Sequence, residues 1–398
     1  MTATAVLLAA GLLRRSPERP PRRLLWPAAA WLAGLGISFA LGGSSQPASL
    51  LPPLLGTAAL FVGWQLRRAP DAAVAMAGIG AGAVAASLHA AAQHAGWDPV
   101  PRADFFPDRV VGPFANPNHL AGFLAAALPL LLTAGLGAGS SPGGVRWRPA
   151  LGLGLAVLLI LGVLLLAGSR GALAGCLAGT TVVFAGYVRG ARLRRLRARP
   201  LGWLPLLLGA AGVALLLRHE PVMSDRLGET SVSQRLQAML NVAGDEADRD
   251  ATLVHRRVLR SLAWRMFAAD PWLGAGPGQF RTAGVLADEA ETRLLATVRG
   301  GMPRHAHNEL LQTAAESGLA GLLPLVVLLA AGGLGALGPA WRTGDPVTWA
   351  ALGGCAAVMV HGLVSYPLHL PATAGVFWVL LGVLFRRAEP RGAGARSA

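Results

Sequence analysis

Residues 149–168, PALGLGLAVLLILGVLLLAG, form an apolar stretch without a charged side chain. About 20 residues of α-helix rise roughly 30 Å, the thickness of the hydrocarbon core of a bilayer. Similar stretches recur along the 398-residue chain, of which 53% is hydrophobic and only 14% is charged. A soluble domain of this length would need far more polar surface, so the sequence predicts an all-α, polytopic transmembrane helical bundle.

Apolar stretches between charged residues predict about eleven spans. They lie at 1–13, 24–42, 49–66, 72–93, 116–138, 149–168, 171–188, 201–217, 318–339, 346–366 and 368–385. The first is short, because thirteen residues rise only about 20 Å as helix. It also has arginines after its apolar run rather than before it, the reverse of a signal peptide. A truncated start or a missing preceding helix would explain it.

The basic residues predict the topology. The formal net charge is +15, and every basic residue is an arginine. Most arginines lie in short connectors, which is typical of the cytoplasmic loops of a membrane protein and not of a nucleic-acid-binding protein. The arginine-bearing connectors alternate along the chain, so all of them can be cytoplasmic: 14–23, 66–71, 145–149, 189–200, 341–345 and the tail from Arg386. The connections at 43–48, 94–115, 168–171, 218–317 and about 367 are then outside.

This topology divides the chain into three parts. Residues 1–217 hold about eight spans, 218–317 form a large outside loop, and 318–398 hold about three spans and a basic tail. Within the loop, 251–269 is predicted to be an amphipathic helix that lies on the membrane or packs over the bundle. The acidic run at 245–250 lacks the spacing of a calcium loop.

Two cysteines, Cys176 and Cys355, each lie inside an apolar stretch, where a thiol is most often a small hydrophobe. They do not have the spacing of a disulfide framework or of a metal site. Neither the cysteines nor the acidic run indicates a metal site. The prediction is that the protein has no metal site and no cofactor.

Four motifs occur in a fixed order. They are GPFANPNHLAGFL (112–124), GSRGALAG (168–175), DPWLGAGPGQF (270–280), and His307-Asn308 followed after nine residues by GLAG (318–321). Together they resemble the O-antigen ligase-like family, and the resemblance spans roughly residues 112–330. That family includes lipopolysaccharide O-antigen ligases, O-antigen polymerases and protein O-oligosaccharyltransferases. Its ligases usually have about twelve spans, one more than this chain is predicted to have.

The resemblance implies a GT-C-like bundle in the bacterial inner membrane and an inverting, metal-independent glycosyltransferase. Such an enzyme moves a glycan from undecaprenyl diphosphate to an acceptor hydroxyl on the outer face of the membrane. The first interpretation is a ligase with lipid A core as acceptor, and the alternatives within the family are a polysaccharide polymerase and a protein O-oligosaccharyltransferase. A flippase of lipid-linked sugars is the alternative from another class. A flippase would need charged groups deep within its spans, where only His89, His361 and His369 come near.

The resemblance makes His307 the base that activates the acceptor hydroxyl. Imidazole titrates close to neutral pH and can accept such a proton. The alternative is a histidine at a helix start, with Asn308 as the N-cap. His305 is two residues away and would face elsewhere on a helix.

Arginines on the outside are the candidates for binding the diphosphate. Arg170 lies in a tight outside turn, against the positive-inside bias, and guanidinium fits phosphate oxygens in bidentate fashion. The family has an important arginine in the large loop, for which Arg256 is the best match, with Arg260 on the same helix face and Arg235 as the rival. The alternatives are side chains that extend to the interface and an interfacial helix.

Substrate-positioning roles are expected for polar side chains beside these residues. Asn116 and Asn118 flank Pro117 at the start of a span, where carboxamides could orient sugar hydroxyls or simply cap the helix. Asn308 and Ser169 are the other two candidates.

Overall fold

The computed structural model describes residues 20–42, 44, 46–66, 68–98, 109–139, 147–193, 223–225, 228–230, 251–293 and 304–389. The α-helices are α1 (Arg22–Leu41), α2 (Leu51–Gln65), α3 (Ala69–His94), α4 (Pro117–Gly139), α5 (Trp147–Ala167), α6 (Arg170–Leu193), α7 (Ala251–Ala269), α8 (Glu309–Thr343), α9 (Pro346–Gly362) and α10 (Pro371–Arg387). Short 3-10 helices lie at Pro47–Leu50, Gln279–Leu286 and Pro367–His369. A small antiparallel hairpin pairs β1 (Met223–Asp225) with β2 (Gly228–Thr230).

The predicted all-α, polytopic fold is confirmed. Seven of the described helical segments are long and apolar enough to cross a bilayer, and Pro346–Gly362 is a shorter apolar helix. The predicted spans at 1–13 and 201–217 lie outside the described residues. The other predicted spans each coincide with a helix, so the chain is a multi-pass membrane protein.

Two contacts join helix ends that the predicted topology assigns to one side. A guanidinium N–H of Arg23, at the start of α1, donates to the carbonyl of Phe385 near the end of α10, at 3.4 Å. The Nε of Arg189, near the end of α6, donates to the carbonyl of Trp341 near the end of α8, at 2.8 Å. Both contacts link arginine-bearing ends, as the alternation of the connectors requires.

The bundle core consists of two clusters of buried apolar side chains. One joins α1 and α2 to α8, α9 and α10 around Trp64 and Trp378. The other joins α3 to α4, α5 and α6 around Leu124 and Ile160. Helix backbones approach closely where a small residue faces a neighbour; a Cβ at Gly382 would overlap a backbone carbonyl of α2.

Helix α8 is broken at Gly318, whose backbone angles are φ 56° and ψ −158°. At this break Leu319 N donates to Pro271 O at 2.8 Å, and Ala320 N donates to Trp272 O at 3.0 Å. The glycine-rich turn that follows α7 therefore docks into the break. Two motifs that lie far apart in the sequence form one structural unit here.

The same unit is fixed to α1. The hydroxyl of Ser38 donates to Leu273 O at 2.5 Å and to Glu316 O at 2.9 Å. Gly276 N also donates to Glu316 O, at 2.9 Å. The start of α8 and the end of the loop that is predicted to be outside are thus held against the end of α1.

Helix α7 packs over the bundle, which decides between the two arrangements predicted for it. Leu259, Leu262 and Met266 are buried against Phe280 and Ala315, the latter on α8. The opposite face carries an exposed tryptophan, as expected for an amphipathic helix. This packing brings the arginines of α7 to the end of the bundle that the topology predicts to be outside.

Candidate active site

The connection between α9 and α10 is the point on which several segments converge that the topology predicts to be outside. The carbonyl of Leu363 accepts a hydrogen bond from Arg260 Nη2 on α7 at 3.1 Å and one from Asn308 Nδ2 at the start of α8 at 3.2 Å. The second residue of α6, Gly171, packs against Val364 so closely that a Cβ there would overlap it. Helices α6, α7 and α8 therefore all dock on this one connection.

Tyr366, in the same connection, is surrounded by histidines. Its hydroxyl shares a hydrogen bond with His119 Nε2 on α4, at 3.2 Å. Its ring stacks on His305, with centroids 4.1 Å apart, and meets His307 edge to face at 5.0 Å. Three imidazoles from two parts of the chain are thereby held around one phenol ring.

His307 has an unusual backbone for a non-glycine residue, with φ at 52°. Left-handed conformations at such residues carry strain and concentrate at functional sites. The next residue, Asn308, is the N-cap of α8, because its Oδ1 accepts from Leu311 N at 3.0 Å. The capping alternative is therefore correct for Asn308, and His307 lies just before the helix with its ring beside Tyr366.

A buried ion pair lies on the other side of this cluster. His369 Nδ1 is 2.9 Å from Glu309 Oε1, and the Glu309 side chain is only 5% exposed. The second oxygen of Glu309 accepts from Leu368 N at 3.1 Å. Burial disfavours the imidazolium of His369, but Glu309 and the nearby Glu316 outweigh it and raise the pKa to about 9. His369 is thus a cation at neutral pH.

His305 has the opposite electrostatics. Burial and then the positive charge of His369 lower its pKa to about 3, although a hydrogen bond with Gln312 at 3.0 Å acts the other way. A group with so low a pKa is a weak base at neutral pH. Its stacking on Tyr366 indicates that His305 holds that ring in place.

The pair formed by His369 and Glu309 predicts a pH-dependent stability. The pKa of His369 rises from its ordinary 6.5 to about 9 on folding. The contribution of the ion pair is therefore complete below pH 6.5 and lost as the pH rises through about 9. We expect the difference in unfolding temperature between the wild type and His369→Gln to shrink over this range.

Thermal unfolding in detergent from pH 6 to pH 10 measures this difference. This range contains both the ordinary pKa of imidazole and the raised pKa of His369. The matched control is His94→Gln, which changes an exposed histidine at the end of α3. A difference in unfolding temperature that stays constant across the pH range, or that the control variant reproduces, would contradict the raised pKa of His369.

The described arginines that were predicted to bind the diphosphate lie at the start of α6 and on α7. Arg170 is the first residue of α6, and the carbonyl of the buried Ser169 accepts from Leu173 N at 3.0 Å, so Ser169 caps this helix. Arg256 lies one turn before Arg260 on α7. Its guanidinium interacts electrostatically with His361, a buried histidine at the end of α9. Arg235 lies outside the described residues.

Asn116 and Asn118 form the start of α4. Asn116 Oδ1 accepts from Asn118 N at 2.8 Å, and the carbonyl of Asn116 accepts from His119 N at 3.1 Å. This is the turn and cap chemistry that the Asn-Pro sequence favours. The turn places His119 beside Tyr366, and a role of the two carboxamides in orienting substrate stays a prediction.

Sequence reasoning missed Tyr366, His119 and the ion pair of Glu309 with His369. Two features of the sequence could have indicated Tyr366 as a candidate. It is one of only two tyrosines in the chain, and it lies in the short connection that the topology places outside. Its partners were not predictable, because His119 is 247 residues away in the sequence.

Within the described ranges, no group of three or more His, Cys, Asp or Glu side chains is arranged to hold a metal ion. Cys176 and Cys355 are buried and not bonded to each other.

Comparison with known proteins gives one family. A family model described as O-antigen ligase matches residues 155–326, somewhat less than half of the chain. The match takes in Arg170, the arginines of α7, His307 and the break in α8, while the motif at 112–124 lies before it. Among curated proteins none matches. The match over these residues confirms the resemblance to the O-antigen ligase-like family that the motifs carry.

Proposed function

We propose that this membrane glycosyltransferase is an O-antigen ligase. It transfers a glycan from undecaprenyl diphosphate to a hydroxyl of lipid A core, on the outer face of the bacterial inner membrane. One observation supports this most strongly. The connection that carries Leu363 and Tyr366 contacts His307, Arg260 of α7 and the start of α6.

His307 is the proposed base. Its imidazole accepts the proton of the acceptor hydroxyl as that oxygen attacks the anomeric carbon of the donor sugar. The new C–O bond forms as the bond to the diphosphate oxygen breaks, and undecaprenyl diphosphate leaves with the electron pair. A single direct displacement of this kind inverts the configuration at the anomeric carbon.

The arginines stabilise the leaving group. Arg170, Arg256 and Arg260, with Arg235 as a further candidate, compensate the negative charge that develops on the diphosphate oxygens. Arg260 is held in position by Leu363 O, so its guanidinium is oriented before substrate arrives. Diphosphate is a good leaving group, and we propose that the reaction needs no metal ion.

Substituting Arg256 tests this role. Arg256→Gln is expected to lower kcat/KM for the lipid-linked donor by about 10- to 100-fold, the loss of one or two charge-assisted hydrogen bonds. Arg257→Gln is the matched control, because Arg257 is the next residue on the same helix and is exposed. Donor titrations in proteoliposomes measure both. Equal values for the two variants would contradict a specific role for Arg256.

A flippase is the alternative of another class, and it differs from a transferase in its product. A flippase moves the donor across the bilayer unchanged, whereas a transferase forms a new glycosidic bond. The polymerase and the protein O-oligosaccharyltransferase differ only in the acceptor. A panel of lipid A core, polysaccharide and protein acceptors therefore separates the three members of the family.

A further inference from the structure

A cleft lies beside the candidate active site, between α1, α8 and α10. Its lining combines polar side chains with two tryptophans. The lining residues that could contact a ligand through polar or aromatic groups include Glu309, Thr313, Glu316, His369, Trp31 and Trp378. This mixture of fixed polar groups and aromatic surface is typical of a binding site for a small polar ring.

The two carboxylates of the cleft are held in fixed positions. Glu309 is bound by His369 and by Leu368 N. Glu316 Oε1 accepts from Phe280 N at 3.0 Å, and the Glu316 residue is 7% exposed. A carboxylate has about four lone-pair positions, so each can accept further hydrogen bonds. Sugar hydroxyls are donors suited to such acceptors.

The aromatic wall has an unused donor. The rings of Trp31 and Trp378 stack with centroids 5.0 Å apart. The indole N–H of Trp31 is buried, and it has no hydrogen-bond partner among the described residues. A buried indole N–H usually finds a partner, so a ligand oxygen could supply one. The apolar C–H face of a sugar ring also packs well against indole.

The cleft lies next to the histidine cluster. Glu309 and His369 line it, and the ring centroids of His369 and His305 are 5.0 Å apart. The ring of His305 stacks on Tyr366. The described arginines of α6 and α7 do not line it. A diphosphate would therefore find no arginine among the described residues of this cleft, whereas an uncharged, hydroxyl-rich ring can donate hydrogen bonds to the two glutamates.

We propose that this cleft binds a sugar ring of the acceptor, next to the histidine cluster that contains His307. The inference rests on the proposed transferase function and narrows it. The donor diphosphate occupies the arginine side, and the acceptor occupies the carboxylate and tryptophan side. The acceptor is accordingly a glycan and not a protein serine.

Thr313→Leu tests the cleft, because it places a larger apolar side chain in the polar wall. Thr181→Leu is a matched control. Both threonines donate their hydroxyl to the carbonyl four residues earlier, at 2.9 Å and 2.8 Å, but Thr181 is on the exposed face of α6. Ser49→Leu, which fills the cleft from another element, is a second variant.

The readout is binding, measured by thermophoresis on the purified full chain. The probes are the water-soluble oligosaccharide released from lipid A core and, separately, undecaprenyl phosphate. We expect Thr313→Leu and Ser49→Leu to weaken oligosaccharide binding at least about tenfold, equivalent to about 1.4 kcal/mol. Undecaprenyl phosphate should bind the wild type and every variant equally.

Two results would overturn the inference. One is oligosaccharide binding that is absent from the wild type or equal in all variants. The other is a selective loss of undecaprenyl phosphate binding, which would make the cleft a lipid site. Because binding is measured without turnover, a wild type that binds the oligosaccharide but transfers nothing would count against the proposed function and not against the cleft.

Discussion

Replacing His307 by asparagine is expected to lower the rate of glycan transfer at least about a hundredfold, the usual contribution of a general base. Asparagine tolerates a left-handed backbone better than most residues, so the φ of 52° at this position can be kept. The lower transfer rate then results from the missing imidazole and not from a changed backbone. The measurement is initial rate in proteoliposomes, alongside thermal unfolding of the same preparation.

His94→Asn is the control for this substitution, because it changes an exposed histidine on α3 outside the cluster around Tyr366. It should transfer at the wild-type rate. If His307→Asn unfolds like the wild type and also transfers within a few-fold of it, His307 is only the residue that precedes the cap of α8.

Gly318→Ala is expected to destabilise the protein by at least about 3 kcal/mol. The angles of φ 56° and ψ −158° belong to a region that is essentially restricted to glycine. An added Cβ would also overlap the backbone of Trp272. Relief of that overlap would separate the turn after α7 from α8 and break the hydrogen bond from Leu319 N to Pro271 O.

Gly333→Ala is the matched control on the same helix, since a Cβ at Gly333 has no heavy atom within 4 Å. It should unfold at or slightly above the wild-type temperature, because alanine is the better helix former. Unfolding temperatures in detergent compare the three proteins. Gly318→Ala that unfolds with the wild type would show that the break in α8 does not need glycine.

Most of the bundle was predictable, because the physical signal is local. A stretch such as 149–168 is long enough to cross a bilayer, and the arginines in the connectors give its direction. Cap chemistry was also predictable, since Asn308 caps α8 and Asn116 begins α4 as their residue types favour.

The active-site cluster was only partly predictable, because it depends on contacts between distant parts of the chain. His307 and the arginines could be named from motifs, but the meeting of Arg260 and Asn308 at Leu363 could not be predicted. The pairing of Glu309 with His369 likewise joins residues about sixty positions apart. The amphipathic pattern of α7 did not predict its packing on Ala315, because the same pattern also fits a helix that lies on a membrane surface.

Reconstitution of the wild type tests whether the protein is a glycan transferase. Proteoliposomes would contain the full chain, undecaprenyl diphosphate carrying a labelled glycan, and lipid A core, with EDTA present. We expect labelled lipid A core and an equal amount of released undecaprenyl diphosphate, with the anomeric configuration inverted. Donor that crosses the bilayer intact, without any new glycosidic bond, would contradict it and identify a flippase.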